Sequence, residues 1–202
     1  VAQPQQGLEV GFGLSTGQDG DPVSSNQTIG NGGSRKDVYI DLAYFNWQAA
    51  EGLNAIGGKF KNNLYRPGGH GLTWDSDFNP EGLALTYANG AFFANAMGTW
   101  VESDSASSSR SEAIGIGGQV GVVWPLDDAV TLPLAPGFTI NTEGKGPFFD
   151  DGLFGNTGAG GRYVFDYNDI QGFAELGFEL FGQPAMLFAD YVKNTDADDF
   201  DT

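Results

Sequence analysis

The chain has 202 residues, of which 32 are glycine and 16 are phenylalanine, and its net charge is −17 at pH 7. It contains no cysteine, which excludes disulfide bonds, thiolate metal sites and a cysteine nucleophile. The acidic balance argues against nucleic acid as a partner and against direct attraction to anionic lipid.

Nine stretches in which apolar residues alternate with polar or small ones predict nine β-strands. Asn89-Gly90 is a strong hairpin signal, so the uncharged stretch from Gly82 to Val101 predicts two strands and not one transmembrane helix. The seventh stretch is the poorest, because Pro133 and Pro136 each remove a backbone donor. In chain order the nine stretches are 7–15, 38–47, 53–61, 81–88, 91–101, 112–124, 129–140, 169–181 and 184–193.

The links between these stretches alternate between long and short. The long links are 16–37, 62–79, 103–112, 141–168 and 194–202, and the short ones are 48–52, Asn89-Gly90, 125–128 and 182–184. This rhythm is typical of transmembrane β-barrels, whose turns are short on the periplasmic side and long on the outside. Several stretches also reach the length of about 9–11 residues that a tilted membrane strand needs. The sequence therefore predicts an all-β fold, an antiparallel transmembrane β-barrel.

The two faces of the predicted strands differ in polarity. In a barrel, Val120 and Leu176 would meet lipid, whereas Gln119 and Glu179 would meet water. A soluble β-sandwich would show the same alternation, with the polar face as its solvated exterior. A secreted acidic β-sandwich that acts as an adhesin or glycan-binding module therefore stays open as an alternative.

Two further details concern the faces and the ends of the predicted strands. In the second stretch, the alternation assigns one face to Val38, Ile40, Leu42 and Tyr44. Aromatic residues also fall near strand ends, where barrels carry aromatic girdles at the membrane interfaces. They include Trp47, Trp100 and Trp124.

The stretch from Gly58 to Tyr87 resembles the bacterial putative-porin family, outer-membrane porins of marine gammaproteobacteria. The resemblance rests on a Gly-Lys-Phe-Lys-Asn strand end at 58–62 and a Trp-Asp-Ser-Asp-Phe-Asn-Pro-Glu-Gly loop end at 74–82. The segments 16–28, 36–44 and 188–199 resemble the same family, in the same order. The resemblance implies an integral protein of the Gram-negative outer membrane that contacts lipid and lipopolysaccharide.

A porin would carry small hydrophilic solutes or ions by passive diffusion, and charges in its lumen would set the selectivity. Carboxylates outnumber basic groups, which predicts a mild cation preference. A homo-oligomer is compatible with such a role. The predicted channel-lining residues are Asp41, Lys59, Lys61, Arg66, Glu81, Glu175 and Glu179.

The sequence offers little for an enzyme, and we expect none. His70 is the only histidine and lies between two glycines in a long link, which is typical of a structural or solvated residue. No catalytic serine or nucleotide-binding motif is present, and no cofactor is predicted apart from structural calcium. Two acidic clusters are candidate calcium ligands: Asp75, Asp77 and Asn79 in one, and Asp196 and Asp198 in the other.

The ends of the sequence suggest one barrel domain, 1–202, that continues beyond Thr202. No signal peptide precedes Val1, and residues 194–202 look like the beginning of a loop. Nine strands with alternating links would also leave the two ends on opposite sides of the membrane, whereas closed bacterial barrels have an even strand count. We therefore expect that these residues alone do not close a barrel.

Overall fold

A computed structural model describes residues 1–17, 24, 33, 35, 37–73, 75–102, 113–125, 131–141 and 153–197. Among these residues, no helix has the length and apolar character needed to cross a membrane. The twelve strands are β1 (Ala2–Gln5), β2 (Leu8–Ser15), β3 (Tyr39–Ala50), β4 (Leu53–Lys59), β5 (Glu81–Asn89), β6 (Phe92–Glu102), β7 (Ala113–Pro125), β8 (Thr131–Asn141), β9 (Gly158–Ala159), β10 (Arg162–Tyr163), β11 (Asp169–Leu180) and β12 (Gln183–Asn194).

Ten of these strands form one antiparallel sheet in the order β1-β2-β3-β4-β5-β6-β7-β8-β11-β12. Each strand of the sheet pairs with its neighbours along the chain, and β9 and β10 form a separate small hairpin in the link before β11. Within the described residues the sheet ends at β1 on one side and at β12 on the other, so it is not a closed barrel. The all-β antiparallel prediction is confirmed.

Each of the nine predicted strands is present, and the prediction missed three short ones. β1 pairs with β2 around a turn at Gly7, where the backbone has φ +75°. The short β9 and β10 lie inside the link that was predicted to have no strand. Periodicity did not reveal these three strands because two to four residues are too few to show it.

β8 forms in spite of its two prolines because each proline interrupts a different ladder. The pairing with β7 lapses between Gln119↔Gly137 and Val122↔Leu134, at the level of Pro136. The pairing with β11 lapses between Ala174↔Leu134 and Gly177↔Thr131, at the level of Pro133. A proline cannot donate to a ladder, but each interruption leaves the pairing on the other side of β8 intact.

The sheet carries its apolar side chains outward, where they stay exposed. In β7 the alternation places Ile114, Ile116, Val120 and Trp124 on this exposed face, whereas Gly115, Gly117 and Gln119 are buried. The same exposed face continues across the other strands, in Val10, Phe12, Leu14, Ile40, Phe45, Trp47, Leu83, Leu85, Trp100, Ile170, Leu180, Leu187 and Tyr191. We call it the outer face, and the opposite one the polar face.

The face assignment in β3 was wrong, because this strand contains an irregularity in its register. Gly13 pairs with Leu42, but Leu14 pairs with Ile40, so Asp41 is an extra residue between the two pairs. Such a bulge reverses the alternation along a strand. Ile40 therefore belongs to the outer face, whereas Tyr44 lies on the polar face and donates a hydrogen bond to Glu9.

Buried apolar side chains gather on the polar face and at one end of the sheet. Phe60, Leu64, Ala84 and Met97 form one cluster, with Tyr44 and Ile56 at its border. Ala113 and Tyr163 form a second cluster, in which the β9–β10 hairpin covers the beginning of β7. The first cluster depends on the link between β4 and β5, which contains the candidate site.

Candidate functional site

The link between β4 and β5, described at residues 60–73 and 75–80, folds over the polar face of the sheet. We call it the crossing segment, and residues 65–72 its tip. Its ends lie together, because the Phe60 N–H donates to the Pro80 carbonyl at 3.0 Å. Lys59 fastens the same point, with Nζ at 3.0 Å from the Asn79 carbonyl and 3.4 Å from the Glu81 carboxylate. The segment thus leaves the sheet at β4 and returns beside it at β5.

Apolar packing holds the beginning of the crossing segment. Phe60 and Leu64 are buried against Ala84 of β5 and Met97 of β6. Leu64 reaches β7 at Gly117, where a Cβ would lie only 3.1 Å from the Leu64 Cδ1 atom. The glycines on the polar face of β7 therefore leave room for the crossing segment.

Gln119 holds the segment at the middle of β7. Its Oε1 accepts the Tyr65 N–H at 2.6 Å, and its Nε2 donates to the Tyr65 carbonyl at 3.0 Å. Nε2 also lies 3.2 Å from Gln171 Oε1 on β11. The side chain thus satisfies both backbone groups of Tyr65, and Gln119 is only 4% exposed. The expectation that Gln119 meets water was wrong, because the segment covers it.

Glu175 of β11 binds the tip with both carboxylate oxygens. Oε1 accepts the Tyr65 hydroxyl at 2.8 Å, and Oε2 accepts the Gly68 N–H at 2.8 Å. The Tyr65 ring stacks on Phe173 with 5.1 Å between ring centroids. Burial, together with the bond to Glu175, raises the pKa of the Tyr65 phenol, so the hydroxyl stays protonated and keeps donating.

The far end of the tip reaches β12. His70 stacks on Phe188 with 5.0 Å between ring centroids, and its Nε2 lies 3.4 Å from Asp190 Oδ2. The His70 Nδ1 accepts the Leu72 N–H at 3.0 Å. Both Asp190 oxygens accept a hydrogen bond from Gln171 Nε2 at 2.9 Å. As the sequence predicted, His70 has structural contacts, and they bring the tip to β12.

Two glycines allow the tip to turn. Pro67–Gly69 form a tight turn, in which Gly68 has φ +64° and Gly69 has φ +67°, both in the left-handed region. A Cβ on Gly68 would lie 2.2 Å from the Phe188 ring, whereas a Cβ on Gly69 would meet open space. Gly68 is thus required both by its backbone conformation and by its close approach to β12.

The predicted channel-lining residues occupy different places around the crossing segment. Glu175 lies beneath the tip, and Asp41 accepts a hydrogen bond from the Asn79 amide at the base. Lys59 and Glu81 form their ion pair at the end of β4 and the beginning of β5, on the side of the outer face and not on the polar face where the prediction placed them. Lys61 and Glu179 are exposed. Arg66 is half-buried, and its Nη1 has no hydrogen-bond partner among the described residues.

The candidate calcium ligands that the structure describes take part in hydrogen bonds within the protein. The Asp75 carboxylate accepts the Asp77 N–H at 2.8 Å, and Asn79 turns its amide toward Asp41. Asp196 binds the Asn168 amide, and Asp198 lies outside the described residues. In the described part of the chain, no three acidic or histidine side chains converge as metal ligands. Calcium binding stays a prediction.

Sequence reasoning missed most residues that hold the crossing segment. Tyr65, Gly68, Gln171, Phe173, Phe188 and Asp190 were not singled out. One signal was available, since Gln171, Phe173 and Glu175 follow one another at every second position of β11. A polar–aromatic–polar row in mid-strand indicates that something packs against that face.

The comparison with known families adds the decisive observation. Residues 2–138 match the family model described as "Putative porin". The chain belongs to this porin family. The match includes β1 to β7, most of β8 and the whole crossing segment, so the Gly58–Tyr87 resemblance is confirmed. No curated protein and no solved structure matches the chain significantly.

Proposed function

We propose that this porin is an integral protein of the Gram-negative outer membrane and lets small hydrophilic solutes or ions diffuse through a water-filled lumen. The observation that carries the proposal is the inverted polarity of the sheet. Apolar side chains stay exposed on one face, and the polar side chains of the other face are engaged with the crossing segment. A sheet in water buries its apolar face, whereas a membrane barrel turns that face to lipid.

The dimensions of the outer face suit a bilayer. At about 3.3 Å per residue, the stretch from Ile114 to Trp124 is about 33 Å long, or about 25 Å along the membrane normal at a tilt of about 40°. Trp47 and Trp124 stand where β3 and β7 approach short turns, and Trp100 stands near the long-link end of β6. Aromatic residues at both edges of an apolar band are typical of membrane barrels.

The crossing segment would narrow the lumen. Gln119 and Glu175 lie near the middle of β7 and β11, so the segment crosses the polar face about halfway between the two ends of the sheet. Its contacts extend from β5 to β12. A segment at this height leaves less room for solutes than the wall alone, and it would set the size limit for diffusion.

We expect the full-length protein to conduct ions in planar lipid bilayers, with a modest preference for cations. The wall and the links carry more carboxylates than basic groups, and such charges raise the local cation concentration. Recording under a salt gradient measures both the conductance and the sign of the preference. Absence of current after repeated insertion attempts would count against a porin. A clear anion preference would count against the charge argument.

A cysteine scan can separate a membrane barrel from a soluble β-sandwich, because the natural chain has no cysteine. Leu72 lies in the tip and Leu85 on the outer face of β5, and both side chains are about half exposed. In liposomes, a charged thiol reagent should label Leu72→Cys and reduce its conductance. Leu85→Cys should resist the reagent because lipid covers it. Equal labelling of both variants would contradict the membrane assignment.

A further inference from the structure

Glu175 occupies an unusual position for a charge in a channel wall. It is buried, and both of its oxygens accept hydrogen bonds from the crossing segment, at 2.8 Å each. The side chain of Asp190, on the neighbouring strand, is only 3% exposed and is bound by Gln171. A permeating ion would meet the tip before it met either carboxylate. The two carboxylates therefore bind protein groups and leave little oxygen surface to offer to ions.

The crossing segment is held in two different ways along its length. Its base depends on apolar packing of Phe60 and Leu64 and on the bond between the Phe60 N–H and the Pro80 carbonyl. Its tip depends on hydrogen bonds to side chains, and Glu175 is the side chain that binds both Tyr65 and Gly68. Loss of Glu175 should therefore release the tip at Gly68, while Gln119 still binds the Tyr65 backbone and the base stays in place.

We propose that Glu175 is the positioning residue that sets the width of the lumen, and that it contributes little to ion preference. This inference rests on the proposed porin function. Glu175 acts through the tip, because it fixes the distance between Gly68 and β11. It differs from a selectivity residue, whose charge would contact permeating ions directly.

Glu175→Gln tests the inference with little change in volume. The amide oxygen can accept one of the two donors, but the amide N–H₂ group would face the other donor. A hydrogen bond to a charged group contributes enough to change an equilibrium about tenfold. The released tip should thus become at least about tenfold more populated. In planar bilayers, we expect a larger conductance and more open-channel noise, with the cation-to-anion permeability ratio of the wild type.

Glu179→Gln is the matched control, because it removes the same charge from the same face of β11 at an exposed position. This control should leave the open-channel noise unchanged and should not raise the conductance. A lower cation preference in Glu175→Gln than in Glu179→Gln, or wild-type conductance and noise in Glu175→Gln, would overturn the inference.

Two further measurements keep the inference testable if Glu175→Gln does not insert or the wild type does not conduct. Tyr65→Phe removes one donor and keeps the ring on Phe173, so a smaller rise in conductance supports the inference and wild-type conductance overturns it. Hydrogen exchange of the Gly68 amide in detergent tests its bond to Glu175 without a transport measurement. If the Gly68 amide exchanges faster in Glu175→Gln but the protein does not conduct, Glu175 holds the tip and the porin function fails. Unchanged exchange would show that Glu175 does not hold Gly68, which would overturn the inference.

Discussion

Leu187→Arg is expected to destabilise the protein in lipid by about 2–4 kcal/mol, which is typical of arginine near the bilayer midplane on a lipid-facing strand. Leu187 lies near the middle of β12, is 66% exposed and pairs with Leu176 on the outer face. The guanidinium of the introduced arginine would have to leave water for hydrocarbon, or bend toward the interface. Folding into vesicles at a series of urea concentrations measures the difference from the wild type.

Met186→Arg is the matched control for this prediction. Met186 is the preceding residue of the same strand and is 53% exposed. It shares the polar face with Phe188, two positions along, whose ring stacks on His70. In a water-filled lumen the arginine should be tolerated, with a change below about 0.5 kcal/mol, as at an ordinary exposed site. Equal effects at the two positions, in either direction, would contradict the membrane orientation of the sheet.

The faces of most strands could be predicted from the sequence because a strand has a period of two residues. Val120 and Leu176 were correctly assigned to the outer side, since the ladders of β7 with β6 and of β11 with β12 are regular in that region. The prediction failed in β3, where one extra residue at Asp41 shifts the register and moves Tyr44 to the polar face. A bulge leaves little trace in the pattern of residue types, so periodicity alone does not locate it.

The candidate site was much harder to predict than the sheet. Its main contacts join Tyr65 to Gln119 and Glu175, which lie far away along the chain. Local patterns carry no information on such distant pairs. The sequence indicated a long link in which His70 lies between two glycines, but nothing showed that this link folds over the polar face. Charge was also misleading as a guide to lining residues, because Glu175 is buried by the groups that it binds.

The glycines of β7 show how the sheet and the crossing segment depend on each other. Leu64 lies against Gly117, at a distance that leaves little room for a methyl group. The small residues of the polar face thus leave room for the crossing segment as well as for the neighbouring strands. The position of the segment, and with it the width of the proposed lumen, therefore depends on these small residues.

Gly68→Ala is expected to displace the tip of the crossing segment and to raise the conductance more than any other single methyl addition in the segment. An L-residue with positive φ costs about 1–2 kcal/mol. The new methyl group would also lie 2.2 Å from the Phe188 ring, well inside contact distance. The overlap is relieved either by movement of the tip away from β12, which lengthens the bond from the Gly68 N–H to Glu175, or by a shift of the Phe188 ring, which disturbs its stack on His70.

Gly69→Ala separates the two causes, because the adjacent glycine has a similar φ of +67° and a Cβ there meets nothing within 4 Å. It should show the backbone cost of about 1 kcal/mol in thermal unfolding and nearly the wild-type conductance. Gly68→Ala should show a larger loss of stability and a clearly wider channel. If the two variants conduct alike, the tip does not pack on β12 in the membrane, and the width of the lumen is set by another part of the chain.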